Sequence, residues 1–430
     1  MRKIVKFMIL LFLMISLSLV VVSCDRGYKI ISDESEEVNK DIVLEVFSWQ
    51  DEEENLNLLA EKFMETHPEI IIHTNFIPIS EYEQQMLLLK NRDKQVDCIF
   101  NPSLPAALVL KNKNILKNLD SWGEIVDEEH YGKWYGEGED ICASYMLPYR
   151  MSRWAVFYNK TLFDKMGVAY PQDDWTWEEY ADIAKRLSGE IDGEKIYGSM
   201  SFAPNNTWWR VPARTAGAND PMKKEDLNEF RKAAEWCYYL TYDLKAQMPY
   251  TEHSGVVSSD YNGMFLNGNI GMYYSGDWSL QFLNGRIKDE SLDFDYDIAP
   301  MPHWEGKDSY VISDAAVISM AESTRYPEEA MDFMKFVVGA EGAKILAQNS
   351  MIPAWNSEEI IEIFRQTENM PEHVDNLFGK GKISSVPANI LYHEALAIAK
   401  DEVRLYLIKE QSIDQTFQNI NARIAVLKQE

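Results

Sequence analysis

From Ile42 onward, apolar runs of strand length alternate with stretches whose apolar residues recur at helical spacing. Ile42-Val43-Leu44-Glu45-Val46-Phe47 reads as a strand. Leu56, Leu59, Ala60, Phe63 and Met64 then repeat at helical intervals as far as His67-Pro68, where the residue before proline is driven out of the helical region. Ile70-Ile71-Ile72 with Phe76 is a second strand, and Tyr82 to Leu89 a helix. Val96-Asp97-Cys98-Ile99-Phe100 is a third strand, broken by Asn101-Pro102. Strands and helices alternating at this spacing specify an α/β chain with a largely parallel sheet.

The second half repeats the style. Trp154 to Tyr158 is a strand, and Thr176-Trp177-Glu178-Glu179 opens a helix as a capping box, with Tyr180, Ile183, Ala184 and Leu187 on its buried face. Asn269 to Tyr274 and Val311 to Met320 read as strands. Pro327 opens another helix, with Ala330, Phe333, Met334 and Val337 on one face. Residues 385–425 are long and helix-prone, and no short repeat is visible.

The start of the chain is of another kind. Arg2, Lys3 and Lys6 precede an apolar run from Phe7 to Val22, followed by Ser23-Cys24. This reads as a secretory leader ending in a lipobox, with Cys24 as the acylated first residue of the mature chain. The run falls short of the ~20 residues that a spanning helix needs, and a plain anchor leaves Cys24 unexplained. The expected location is the extracytoplasmic face of the membrane, held there by lipid. Residues 24–40 are polar and aperiodic, as expected of a tether.

Removing residues 1–23 from the 430 leaves 407, too many for one core and right for two lobes. The leader has three positive side chains and no negative ones, so its removal moves the net charge from −27 to −30. Nucleic acid, which selects basic surfaces, is excluded as a partner. Cys98, Cys142 and Cys237 show no metal spacing, and their odd number leaves at least one free in a monomer.

Enzyme signatures are missing. There is no HExxH, GxSxG or Walker loop, and Gly136-Glu137-Gly138 lacks the strand and helix that make a phosphate cradle. The seven His are scattered, and among 69 acids no catalytic pair can be singled out. No cofactor and no metal are expected. Aromatic residues at strand ends and breaks do stand out: Trp49, Trp154, Trp208-Trp209-Arg210, and Trp278 directly after Gly276-Asp277. Ligands of open α/β sheets collect beyond the carboxyl ends of strands. Aromatic faces there suit the C–H faces of sugar rings, while Asp, Asn and Arg bond their hydroxyls.

The same stretches carry a family likeness. Pro148, Tyr158-Asn159-Lys160, Phe163, Gly167 and Trp175-Thr176-Trp177-Glu178-Glu179 resemble the core motif of extracellular solute-binding proteins of family 1. These are the sugar-binding lipoproteins of ABC importers, the group of maltose-binding protein. Phe265, Gly268, Ile270-Gly271-Met272, Gly276-Asp277-Trp278, Pro300-Met301-Pro302, Pro327-Glu328-Glu329-Ala330 and Ile352-Pro353-Ala354 follow in the family's order.

The resemblance implies two lobes of the type II-like periplasmic-binding-protein fold, each a mostly parallel sheet flanked by helices, joined by a hinge that closes on ligand. Crossings are expected near Pro148–Ser152, Pro300–Trp304 and Ser350–Trp355. One lobe then combines residues 41–149 and 303–350, the other 150–302 and 351–430. The implied ligand is a carbohydrate, most simply an oligosaccharide, delivered to the membrane subunits of an ABC permease by a monomeric receptor. The ligand-binding residues expected are Trp278 with Asp277, Trp49, Trp208, Trp209, Arg210, Arg150, Arg153 and Asp314. Asn101 joins them where the family often has an aromatic. The rival readings are a surface glycan hydrolase, a receptor for another solute, and a sensor.

Overall fold

β1 (Ile42–Trp49) alternates in burial at its start and is wholly buried from Val46 on, as a central strand must be. The computed structural model describes residues 42–89, 95–132, 142–200, 208–249 and 265–429. Cys24, the leader, the tether and the Gly136-Glu137-Gly138 stretch lie outside the described residues. The helix Glu53–Thr66 buries Leu56, Leu59, Ala60 and Phe63 and stops where expected, with the His67 ring stacked 4.0 Å from that of Phe63. β2 (Ile70–Ile77) and β3 (Cys98–Asn101) flank β1, both parallel to it.

Two five-stranded sheets form the two lobes. The first has the order β2-β1-β3-β11-β4, where β4 is Leu147–Met151 and β11, Ala315–Met320, arrives from far along the chain. The second has the order β6-β7-β8-β5-β9. Its strands are β5 (Trp154–Asn159), β6 (Gly189–Ile191), β7 (Glu194–Met200), β8 (Ile270–Gly276) and β9 (Tyr296–Pro300). The two-lobed α/β reading holds, but strand direction is more mixed than expected. β11 runs antiparallel to both neighbours, and in the second sheet only β7 and β8 are parallel. The reason is that the lobes exchange chain at the crossings, so strands enter each sheet from either end.

The capping box forms as read: Glu179 N donates to Thr176 Oγ1 at 3.2 Å, and Thr176 N to Glu179 Oε2 at 2.8 Å. Much of the aromatic supply is core. Trp175, Trp177, Tyr180, Trp236 and Tyr274 are buried together in the second lobe. Cys98, Cys142 and Cys237 are all buried, and none forms a disulfide with another.

Three crossings lie side by side. Met151 N donates to Ile352 O at 3.2 Å, Ala354 N to Tyr149 O at 3.0 Å, and Ser152 N to Asp314 O at 2.9 Å. The second crossing falls later than the sequence suggested. His303 stays on the second lobe, exchanging backbone bonds with Trp175 and Trp177, and Trp304 Nε1 donates to Pro212 O at 2.7 Å. The chain then forms β10 (Tyr310–Ile312), pairs it with β12 (Lys382–Ser384), and crosses only at Ser313-Asp314. Among the described residues no helix is long and apolar enough to cross a membrane.

Candidate functional site

β8 ends at the seam between the lobes, where Trp278 touches both cores. Trp49 closes β1 and is 7% exposed, edge-on to Tyr82 at 6.3 Å. Asn101 closes β3. It is buried, and its Oδ1 has no partner among the described residues. β8 ends at Gly276, and the chain turns into the helix Trp278–Lys288. A Cβ on Gly276 would stand 2.0 Å from Cζ3 of Trp278, so only glycine lets the indole fold back over the strand end. Trp278 packs against the cores of both lobes.

Trp154, Trp208 and Trp278 meet there as one cluster. Ring centroids are 4.7 Å apart for Trp154–Trp208, 5.4 Å for Trp154–Trp278 and 6.2 Å for Trp208–Trp278, with interplanar angles of 63°, 89° and 65°. These are the edge-to-face arrangements that aromatic quadrupoles prefer. The buried Nε1 of Trp154 has no partner among the described residues. Side chains also meet across the seam. His393 Nδ1 lies 3.7 Å from Glu83 Oε2, and Gln281 Nε2 donates to Glu54 Oε2 at 2.9 Å. Burial pushes the His393 imidazole below its usual range and Arg210 adds to this, against the pull of Glu83.

The polar residues divide into partnered and unpartnered groups. Arg150 donates from Nη1 to Glu52 Oε2 at 2.6 Å, with both side chains buried. Burial disfavours that guanidinium's charge, but Glu52 outweighs it and Arg150 is pushed up. Arg214 forms a fork on Asp314, Nη1 to Oδ2 at 2.7 Å and Nη2 to Oδ1 at 2.8 Å. Asp277 takes the backbone N–H of Arg153 and of Ile352, each at 3.1 Å. Burial raises its carboxyl, against Arg150 and those two amides.

The sequence-predicted residues therefore separate. Trp278 and Trp208 meet at the seam, and Arg210 acts there on His393; Trp49 packs in the first-lobe core and Asn101 is buried at the end of β3. Trp209 is not at the seam: it is 2% exposed, edge-on to Phe230 in the second-lobe core, because successive side chains of its 3-10 turn point about 120° apart. Asp277 and Asp314 are hinge clasps with both oxygens engaged. Arg150 is tied to Glu52. Arg153 lines a cavity of about 1140 Å³ on the Met151 and Ile352 side of the crossings, which none of the seam tryptophans lines.

Sequence reasoning missed Glu52, Tyr392 and His393 and left Trp154 out of the site. Trp154 was legible as an aromatic opening a strand. Tyr392 and His393 lie where the family likeness is loosest, with no signal of their own. One group outside the seam could offer three metal ligands, Asp297, Glu372 and His373, their ligand atoms within 4.8 Å of one another. Asp297 Oδ1 accepts from the amides of Ile298 and His373, and Oδ2 bonds His373 Nδ1 at 2.7 Å. This pins the segment around His373 to β9.

A family model of bacterial extracellular solute-binding proteins matches residues 49–344. The chain belongs to that family. The match takes in Trp49, the tryptophan cluster and the first two crossings. Among curated relatives, this solute-binding protein is 25% identical over 231 residues to a binding protein of Brucella abortus. It spans about half the length of the curated relatives it matches, 52%, and that stretch is 50% of its own. Its fold is shared by solved structures of binding proteins, among them the following three. An ABC substrate-binding protein of Listeria monocytogenes in complex with cycloalternan has a TM-score of 0.74 at 21% identity, over 89% of this chain and 99% of that one. A maltose-bound protein of T. maritima has a TM-score of 0.72 at 16% identity, over 90% and 100%. A sugar transporter protein of Rhizobium etli in an open conformation has a TM-score of 0.70 at 22% identity, over 88% and 98%.

Proposed function

We propose that this solute-binding protein is the receptor lipoprotein of an ABC importer and that it takes a carbohydrate between its lobes. The observation carrying this reading is the Trp154–Trp208–Trp278 cluster at the seam, where the buried Trp154 Nε1 has no partner among the described residues. Indole faces fit the apolar faces of sugar rings, and a donor such as Trp154 Nε1 fits a hydroxyl. The lobes touch across this seam, so a ligand reaches the rings when they part and is enclosed when they meet. Differential affinity for the closed arrangement drives that motion. Nothing in the mechanism breaks a covalent bond, and labelled oligosaccharides incubated with the protein should come back unchanged.

The test is a thermal-shift screen against oligosaccharides, amino acids, peptides and polyamines. A ligand at 100 times its dissociation constant stabilises the folded state by about 2.7 kcal/mol, which moves the melting temperature by several degrees. At least one oligosaccharide should produce that shift. A response confined to peptides or polyamines would remove the carbohydrate.

Anchoring rests on the Ser23-Cys24 junction behind the basic and apolar leader. The thiol of Cys24 carries lipid, and the acidic tether lifts the lobes off the bilayer toward the permease. Cys24→Ser should move the protein from the membrane fraction, either to the soluble fraction or to an uncleaved precursor. An unchanged, fully processed membrane pool would exclude lipid at Cys24.

A further inference from the structure

Four arginines gather around the hinge; Arg150, Arg153 and Arg210 each have a buried Nε with no hydrogen-bond partner among the described residues, and Arg210 adds a buried Nη1. Arg150 and Arg153 face two acids, Glu52 and Asp277: Glu52 bonds Arg150, and Asp277 lies near both guanidinium groups. Arg210 and Arg214 both lie near Asp314, whose two oxygens are taken by the Arg214 fork, while Asp220 faces Tyr392 and Glu83 faces His393 beside Arg210. Arg210 is 8% exposed, and its Nε and Nη1 have no hydrogen-bond partner among the described residues. Beside it stands Tyr392, buried, whose hydroxyl also has none. Two residues before it in the same turn is Trp208, a member of the seam cluster.

A guanidinium out of water with half its fork unpaired destabilises a fold unless something pairs it. The like charge of Arg214 makes matters worse, and burial with that repulsion pushes Arg210 below the usual arginine range. Retaining such a group at a sugar-sized aromatic seam is explained by a negative charge that arrives with the ligand. No carboxylate bonds the Arg210 guanidinium among the described residues. A planar monoanion matches it in charge and can accept paired N–H bonds from the fork.

The geometry points to an acidic saccharide as the ligand, with Arg210 pairing its uronate carboxylate, Tyr392 donating a further hydrogen bond, and Trp208 against the sugar ring. This rests on the proposal that the seam binds a carbohydrate, and it names the class of carbohydrate. A phosphate ester, carrying up to two charges, fits a single unpaired guanidinium less well.

The experiment compares trimers of galacturonate, glucuronate and mannuronate with their own methyl esters, which keep the skeleton and remove the charge. A matching sulfate-ester trimer is included. In the native protein the acid form of at least one trimer should bind about 10- to 100-fold tighter than its ester, the worth of a hydrogen bond to a charged group. In Arg210→Gln that ratio should collapse toward one, and Arg210→Lys should recover part of it. Without ligand, Arg210→Gln should melt at a higher temperature than the native protein, because an unpaired buried charge is gone. Esters that bind as tightly as acids would overturn the charge assignment and leave the carbohydrate reading standing. A preference for the sulfate ester would overturn the carboxylate. Binding of no saccharide would remove both readings together. Melting of ligand-free Arg210→Gln well below the native protein would reveal an internal partner for Arg210 and overturn the proposal without any ligand.

Discussion

Arg214→Ala should lower the free energy of unfolding by about 3 kcal/mol, the low end of the 3–5 kcal/mol for breaking a buried pair, since Asp314 keeps 19% of its exposure. Arg214 is 2% exposed and its whole fork is engaged. Besides the two bonds to Asp314, Nη2 donates to Ser384 O at 3.0 Å and Nε to Asn219 Oδ1 at 2.9 Å. Asp314 also accepts from Val386 N at 3.0 Å. One side chain thus holds the second crossing, β12 and the Val211–Arg214 turn together. Removing it strands a carboxylate.

The pH dependence should change sign as well. Burial raises the Asp314 carboxyl, but Arg214's charge and hydrogen bonds outweigh this and hold it below the usual carboxylate range. A folded-state value below the unfolded one contributes stability that is present above pH 3.8 and lost as pH falls through the folded value. Without Arg214, burial is expected to lift Asp314 above its unfolded value, so stability should instead decline as pH rises from about 4. Urea unfolding of both proteins between pH 4 and 7 checks this. Equal stability across that range would show that the clasp contributes nothing.

Trp278→Ala should weaken binding of whichever oligosaccharide the screen identifies by about 2–4 kcal/mol, roughly 30- to 1000-fold. The ring touches both lobes and two other indoles, so its loss removes a stacking face and loosens the closed seam together. Gly276→Ala is the companion. It leaves the indole in the chain, but a Cβ 2.0 Å from Cζ3 forces the ring away from its seat. Affinity should fall in the same direction, which separates ring position from ring presence. Calorimetry reads both, and full affinity in both variants would take Trp278 out of the site.

Local features were legible because local forces make them. The helix ending at Thr66, the capping box at Thr176 and the strand at Trp154 follow from periodicity and from backbone chemistry within four residues. Gly276-Asp277-Trp278 was legible as a motif, and the structure supplies its physics: the glycine seats the ring and the aspartate clasps the hinge. Trp208-Trp209 was not divisible on the page of letters. Adjacent tryptophans share composition and hydropathy, and only the turn sends one to the seam and the other against Phe230. The second crossing was misjudged because Pro300-Met301-Pro302 marks a local turn, whereas a crossing is defined by which sheet the following strand joins.

The sequence alone determined the α/β class, the division into two lobes, and a supply of arginines and tryptophans near strand ends. Only the tertiary structure decided what each of those charges does. Glu52 reaches Arg150 across 98 residues and Asp314 reaches Arg214 across 100. Pairing over such separations is set by how the sheets exchange strands. An arginine such as Arg210, whose Nε and Nη1 find no partner among the described residues, looks the same in sequence as its partnered neighbours.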